Sequence, residues 1–226
     1  MREILEKENY IPSLAMKQNA LSKFLNKPCA IVFHTTGAGP HTRSNNNKTK
    51  FPKPFDAAIH IYSNIMRESG HFVVCGDTGE WRQTVPLDHI AWHTGPRGYR
   101  DTNGFKGFEN DKRWDWWRNA FPGLKSPLEL AQHGLWANGS ANSNSIGIEV
   151  VPPSSGLKDP WSPQCLATLK YLSDQVILFH GMDRFKENII SHSEASPPDR
   201  SLKDGSPWDP SITQWDESVR DFIRKP

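Results

Sequence analysis

Four residues able to bind a metal or move a proton stand at the ends of apolar runs. His34 follows Ala30-Ile31-Val32-Phe33, His93 lies in "IAWHTG", His192 follows "NIIS", and Glu149 sits in "SIGIEVV". A single histidine at a strand end is more often core packing than a ligand. Three histidines and a carboxylate at four strand positions change that balance, because buried polar groups without partners cost free energy. A divalent metal with its water satisfies such a set economically.

The elements that would position these residues follow from pattern. Residues 29–34 read as a buried strand. Pro54 suits a first helical position, and Phe55, Ala58, Ile59, Tyr62, Ile65 and Met66 then fall on one helix face, with Gly70 as the stop. "HFVVCGDTGEWRQTVP" reads as a β-hairpin around a Gly-rich turn, and "IAWHTG" as a short strand or strand end. "SIGIEVVPP" is continuous in its apolar character apart from Ser145 and Glu149 and predicts a central strand, where Ile148 and Val150 argue against an edge position for Glu149.

A long helix follows, with Ser162 as cap, Pro163 as first residue, a Leu166, Leu169, Leu172, Val176 stripe, and Gly181 as its end. "NIISH" is a last short strand, and "WDPSITQWDESVRDFIRK" begins a C-terminal helix. The order predicts an α/β fold: a single domain with a mixed central β-sheet flanked by helices. The expected organisation is a helical lead-in over 1–28 and one domain over 29–226. An aromatic- and Gly-rich insertion at about 96–140 interrupts it, with a helix around 111–119; a connection this long is functional or disordered.

Bulk properties exclude several classes. A chain of 226 residues holds one domain with insertions and is marginal for two. The net charge of +2 comes from scattered basic residues, so no nucleic-acid-binding stripe is present. Cys29, Cys75 and Cys165 lack metal-site spacing and cannot all pair, which disfavours a disulfide scaffold. "MREILEKENYIPSLAMKQ" lacks the apolar core of a signal peptide, and no apolar run approaches a membrane span. The expectation is a soluble, monomeric protein made in the cytoplasm, with no nucleic-acid partner and no membrane insertion.

"AIVFHTTG", "HFVVCGDTGEWRQTVPLDHIAWHTG", "NSNSIGIEVV" and "ISHSEASP" occur in that order. Together they resemble the zinc amidase family that includes N-acetylmuramoyl-L-alanine amidases, phage T7 lysozyme and the peptidoglycan recognition proteins. The resemblance runs from Cys29 to the C-terminal helix, interrupted by the insertion. It implies a Zn2+ cofactor with His34 and His192 as histidine ligands. The family's third ligand is an Asp or a Cys after the second histidine, and no cysteine follows His192. Asp209 in "SPWDP" resembles one branch and is the favoured residue. Asp204 in "LKDG" resembles another branch, and Asp199 is a third choice.

By the same resemblance Glu149 is the general base and Lys203 stabilises the oxyanion, although Lys203 stands adjacent to Asp204 where the family leaves a one-residue gap. His71 falls in the segment that carries a catalytic tyrosine in the T7 lysozyme branch, and His93 in a "WHAG"-like segment beside the site. Both are assigned to substrate binding, His93 alternatively to support of the site from behind. Trp114, Trp116 and Trp117 of the insertion are available to stack on sugar or to wall the peptide.

The implied activity is hydrolysis of the amide between N-acetylmuramic acid and L-alanine in peptidoglycan, by an endolysin-like or wall-remodelling enzyme that reaches the wall by phage release or another export route, or by a cytoplasmic recycling enzyme. The alternatives are a non-catalytic peptidoglycan-binding module and a zinc amidase or peptidase cutting another muropeptide bond.

Overall fold

The computed structural model describes residues 5–18, 28–36, 53–65, 68–94, 141–184, 188–195 and 209–226. Strands β1 (Ala30–Thr35), β2 (Phe72–Cys75), β3 (Trp81–Gln83), β4 (Ser145–Val151) and β5 (Ile189–Ser191) form one sheet in the order β3-β2-β4-β1-β5. β4 pairs in parallel with β2 and β1, β1 pairs in parallel with β5, and only β3 runs antiparallel, against β2. The sheet is mixed because the hairpin, turning through Gly79 at φ 72°, returns the chain antiparallel at one edge.

Alternation along the central strands sorts their side chains by face. Ile31 and Phe33 of β1, and Ile146, Ile148 and Val150 of β4, join the main apolar core. Helix α3 (Pro163–His180) covers that face with Leu169, Leu172 and Val176, helped by Trp215 and by Ile223 of α5 (Glu217–Arg224). The opposite face takes the intervening residues: Val32 and His34 from β1, and Ser145, Gly147 and Glu149 from β4. Part of it is filled by Phe55, Ala58 and Tyr62 of α2 (Pro54–Asn64) against Val73, Cys75 and Val151. Every residue of β1 and β4 is buried. One face is therefore packing, and the other carries the polar residues.

Local signals explain α3. Ser162 Oγ accepts the Cys165 N–H, Pro163 occupies the first turn, and Gly181 ends the helix at φ 61°. Several boundaries differ from the sequence pattern. α2 ends at Asn64 rather than running to Gly70, which leaves Ile65 exposed. α5 starts at Glu217, not near Asp209. Asp216 caps it by accepting the Val219 N–H, whereas Asp209 spends its carboxylate on β1.

Residues 90–94 of "IAWHTG" form no strand, because Asn142 Oδ1 accepts the His93 and Thr94 N–H groups at 2.9 and 2.8 Å in place of a strand neighbour. The N-terminal lead-in is not one helix. After a 3-10 turn at Lys7–Asn9 the chain lies along β3, with Ile11 N–H on Gln83 O and Ser13 N–H on Thr84 O, before the single-turn α1 (Leu14–Lys17). An open strand edge takes such a segment because its backbone groups otherwise lack partners. The 96–140 insertion, its tryptophans included, lies outside the described residues. Cys29, Cys75 and Cys165 are all unpaired thiols. Among the described residues no helix is long and apolar enough to cross a membrane.

His71 extends the pairing of β2 with β4. Its N–H donates to Gly147 O at 2.7 Å, and its Nδ1 accepts the Gly147 N–H at 3.0 Å. Nδ1 is thus the bare nitrogen, and Nε2 donates to His89 O at 2.9 Å. Burial holds this imidazole well below its ordinary pKa of 6.5, and burial likewise pulls His180 down to about 4.

Two predictions follow from the packing. Leu169→Ala removes a fully buried side chain from the main core and is expected to lower unfolding free energy by about 2–5 kcal/mol, read from denaturant midpoints. His71 and His180 bind fewer protons folded than unfolded at acid pH, so their contribution is complete above the unfolded pKa and is lost as pH falls below it. The melting temperature of metal-free protein should therefore decline below pH 6.5, and His180→Gln should flatten part of that decline.

Candidate metal centre and its surroundings

His34 and Glu149 are direct register partners on parallel β1 and β4. Their side chains leave the sheet on the same face, with His34 Nδ1 3.8 Å from Glu149 Oε1. His192 follows β5 as the first residue of the short helix α4 (His192–Ala195). Asp209 arrives from the turn ahead of α5. Its backbone is pinned to α4, its carbonyl accepting Ser193 N–H at 2.8 Å and its N–H donating to Ser193 Oγ at 3.1 Å. Its Oδ1 accepts the Thr35 N–H at 2.7 Å. That bond turns Oδ2 inward, 2.9 Å from His192 Nδ1 and 4.0 Å from His34 Nδ1.

The potential ligand atoms of His34, His192 and Asp209 all lie within 4.8 Å of one another, and all three residues are buried. In a tetrahedral zinc site, with bonds near 2.0–2.2 Å, donor atoms stand roughly 3.3 Å apart. The two measured separations to Asp209 Oδ2 bracket that value. Two imidazoles and a carboxylate are also a zinc donor set that leaves a coordination position open. The residues present fit the ion.

Glu149 is held beside this group from two sides. A Cβ on Gly70 would come within 2.7 Å of Glu149 Cγ, so the absent side chain makes room for the carboxylate arm. The Tyr62 hydroxyl donates to the carboxylate, and burial, followed by the charge of Glu149, raises the phenol pKa well above its ordinary value.

The two remaining histidines face inward. His93 places Nδ1 2.8 Å from His34 Nε2 and Nε2 3.3 Å from Ser145 Oγ, and burial drives its pKa down to about 3. His71, expected from the sequence to touch substrate, is fully buried with both ring nitrogens bonded to backbone. Lys203, Asp204 and Asp199 lie outside the described residues.

Sequence reasoning passed over Tyr62, which looks like one more member of an apolar helix stripe. It also passed over the support of α4. Glu194 Oε2 accepts Ser191 N–H and the Trp215 indole N–H, the latter at 2.8 Å, and Arg220 Nη1 lies 3.6 Å from Oε1. An acidic residue two positions after His192 was the only visible signal, and its partners are distant in the chain.

Comparison with known proteins agrees with this architecture. No curated protein sequence matches the chain significantly. Among solved structures, AmiD from E. coli, in complex with the substrate anhydro-N-acetylmuramic acid-L-Ala-D-gamma-Glu-L-Lys, aligns with a TM-score of 0.50 at 17% identity, over 88% of this chain and 58% of that one. A selenomethionine derivative of AmpD aligns with a TM-score of 0.49 at 18% identity, over 95% and 93% of the two chains. The N-acetylmuramoyl-L-alanine amidase LysC from Clostridium intestinale URNW gives 0.45 at 15% identity, over 91% of each. The sequence profile of the N-acetylmuramoyl-L-alanine amidases matches residues 25–211. That match spans most of the chain, including His34, Glu149, His192 and Asp209, and the protein belongs to the N-acetylmuramoyl-L-alanine amidase family.

Proposed function

We propose that the protein is a zinc-dependent hydrolase of the amide joining the lactyl group of N-acetylmuramic acid to L-alanine in peptidoglycan. The observation that carries this reading is the buried convergence of His34, His192 and Asp209 beside Glu149 in a chain of this family. AmiD, of the same fold, was captured with a substrate of this class.

His34, His192 and Asp209 would hold the zinc ion, which would supply Lewis acidity to the scissile carbonyl and to a water. Glu149 takes a proton from the attacking water and returns it to the leaving amine of L-alanine. The C–N bond breaks, giving a muramic carboxylate and a free amino terminus. The Tyr62 hydroxyl steadies the charged form of Glu149, since a hydrogen bond to a carboxylate favours its ionised state. Lys203 is assigned to the oxyanion that forms at the carbonyl. The protein is read as a monomer acting on the bacterial cell wall.

Mass spectrometry of digested sacculi should show new L-alanine amino termini and intact lactyl carboxylates. Ends at another bond would redirect the specificity, and zinc-loaded protein that binds wall without releasing fragments would make it a recognition module. Glu149→Gln should retain zinc while losing 10²–10⁴-fold in turnover. Asp209→Ala should lose the bound metal and Asp204→Ala should keep it, as read by elemental analysis; the reverse pattern would transfer the ligand role to Asp204.

A further inference from the structure

His93 stands behind a metal ligand, and its surroundings define which ring nitrogen carries its proton. Ser145 Oγ donates its only hydrogen to Ala141 O at 2.7 Å, so towards His93 Nε2, 3.3 Å away, it acts as an acceptor. Nε2 of His93 therefore bears the proton. In a neutral imidazole the other nitrogen is then a bare acceptor. That nitrogen, Nδ1, lies 2.8 Å from His34 Nε2, and a bond between them requires His34 to donate from Nε2. The lone pair of His34 is left on Nδ1, the atom that faces Asp209 Oδ2 and Glu149 Oε1.

We infer that His93, seated on Gly147 and hydrogen-bonded to Ser145, is a positioning residue that sets the tautomer of His34 and keeps its Nδ1 available to the metal. This rests on the zinc reading given above. The ring has a built seat: a Cβ on Gly147 would lie 2.4 Å from His93 Cγ, 2.6 Å from Nδ1 and 2.7 Å from Cδ2. Only a glycine at that point of β4 lets the imidazole lie flush against the strand. Asn142 fixes the loop from the other end through the His93 and Thr94 N–H groups. His93 is buried, and both of its ring nitrogens are taken up by protein atoms, His34 Nε2 and Ser145 Oγ.

His93→Phe keeps a flat ring and removes the acceptor. His93→Asn places a carbonyl oxygen near the position of Nδ1 and restores one. Zinc dissociation constants, measured by competition with a chromogenic chelator on full-length protein, should rise about 10–100-fold in His93→Phe and far less in His93→Asn. Equal affinity in His93→Phe and the parent, or equal loss in both variants, would overturn the inference.

A second measurement needs no variant, and so survives a His93→Phe protein that does not fold. Long-range 1H–15N correlation spectra of the parent protein, with and without zinc, should show the His93 proton on Nε2. A proton on Nδ1 would reverse the direction of the His93–His34 bond and sink the proposal. A parent protein that binds no zinc, yet shows the His93 proton on Nε2, would instead count against the metal reading itself.

Discussion

The parallel pairing of β1 with β4 is the constraint on which the site depends. It places His34 level with Glu149 across the two central strands. A slip of one residue would send either side chain into the apolar face under α3, because strand side chains alternate with period two. That register is guarded by the opposite face, where Ile31, Phe33, Ile146, Ile148 and Val150 pack into one core. The apolar half of the sheet thus fixes the geometry of the polar half. The placement of His34 beside Glu149 and the stability of the core draw on the same strands.

The rest of the centre is brought in from the C-terminal third of the described chain. His192 is delivered by β5, whose pairing with β1 continues the sheet. Asp209 is tied at both ends, by Ser193 through its backbone and by Thr35 through its carboxylate. α4 is itself anchored through Glu194 to Trp215 and towards Arg220. α5 consequently has two duties, since Ile223 closes the main core and Arg220 faces the carboxylate that steadies the His192 turn. The last helix contributes to the site without approaching it.

The sequence was most readable where the determinants are local. Ser162, Pro163 and Gly181 mark α3 because caps act within a single turn, and the largely apolar character of β1 and β4 reflects their burial along the whole length of both strands. His34, Glu149 and His192 were visible as polar residues at the ends of such runs. Spacing alone left Asp199, Asp204 and Asp209 open, and the choice of Asp209 leaned on family resemblance. What stayed hidden depends on partners far apart in the chain. Tyr62 reads as core until Glu149 is set beside it, 87 positions later in the numbering. The "IAWHTG" segment resembles a strand until Asn142 satisfies its N–H groups. His71 looks like a site residue by neighbourhood, but Gly147 takes its bare nitrogen.

The bond from Thr35 N–H to Asp209 Oδ1 joins residues 174 positions apart. During synthesis His34 emerges early, and the carboxylate that faces it is made long afterwards. Loops of that length close slowly, and their entropy must be met before the contact gives anything back. The three residues therefore cannot come together before Asp209 has been made. A ribosome carrying the first two hundred residues holds the sheet's first strand and both histidines, yet lacks the turn that completes the triad. Assembly of this site comes late, as a matter of chain order.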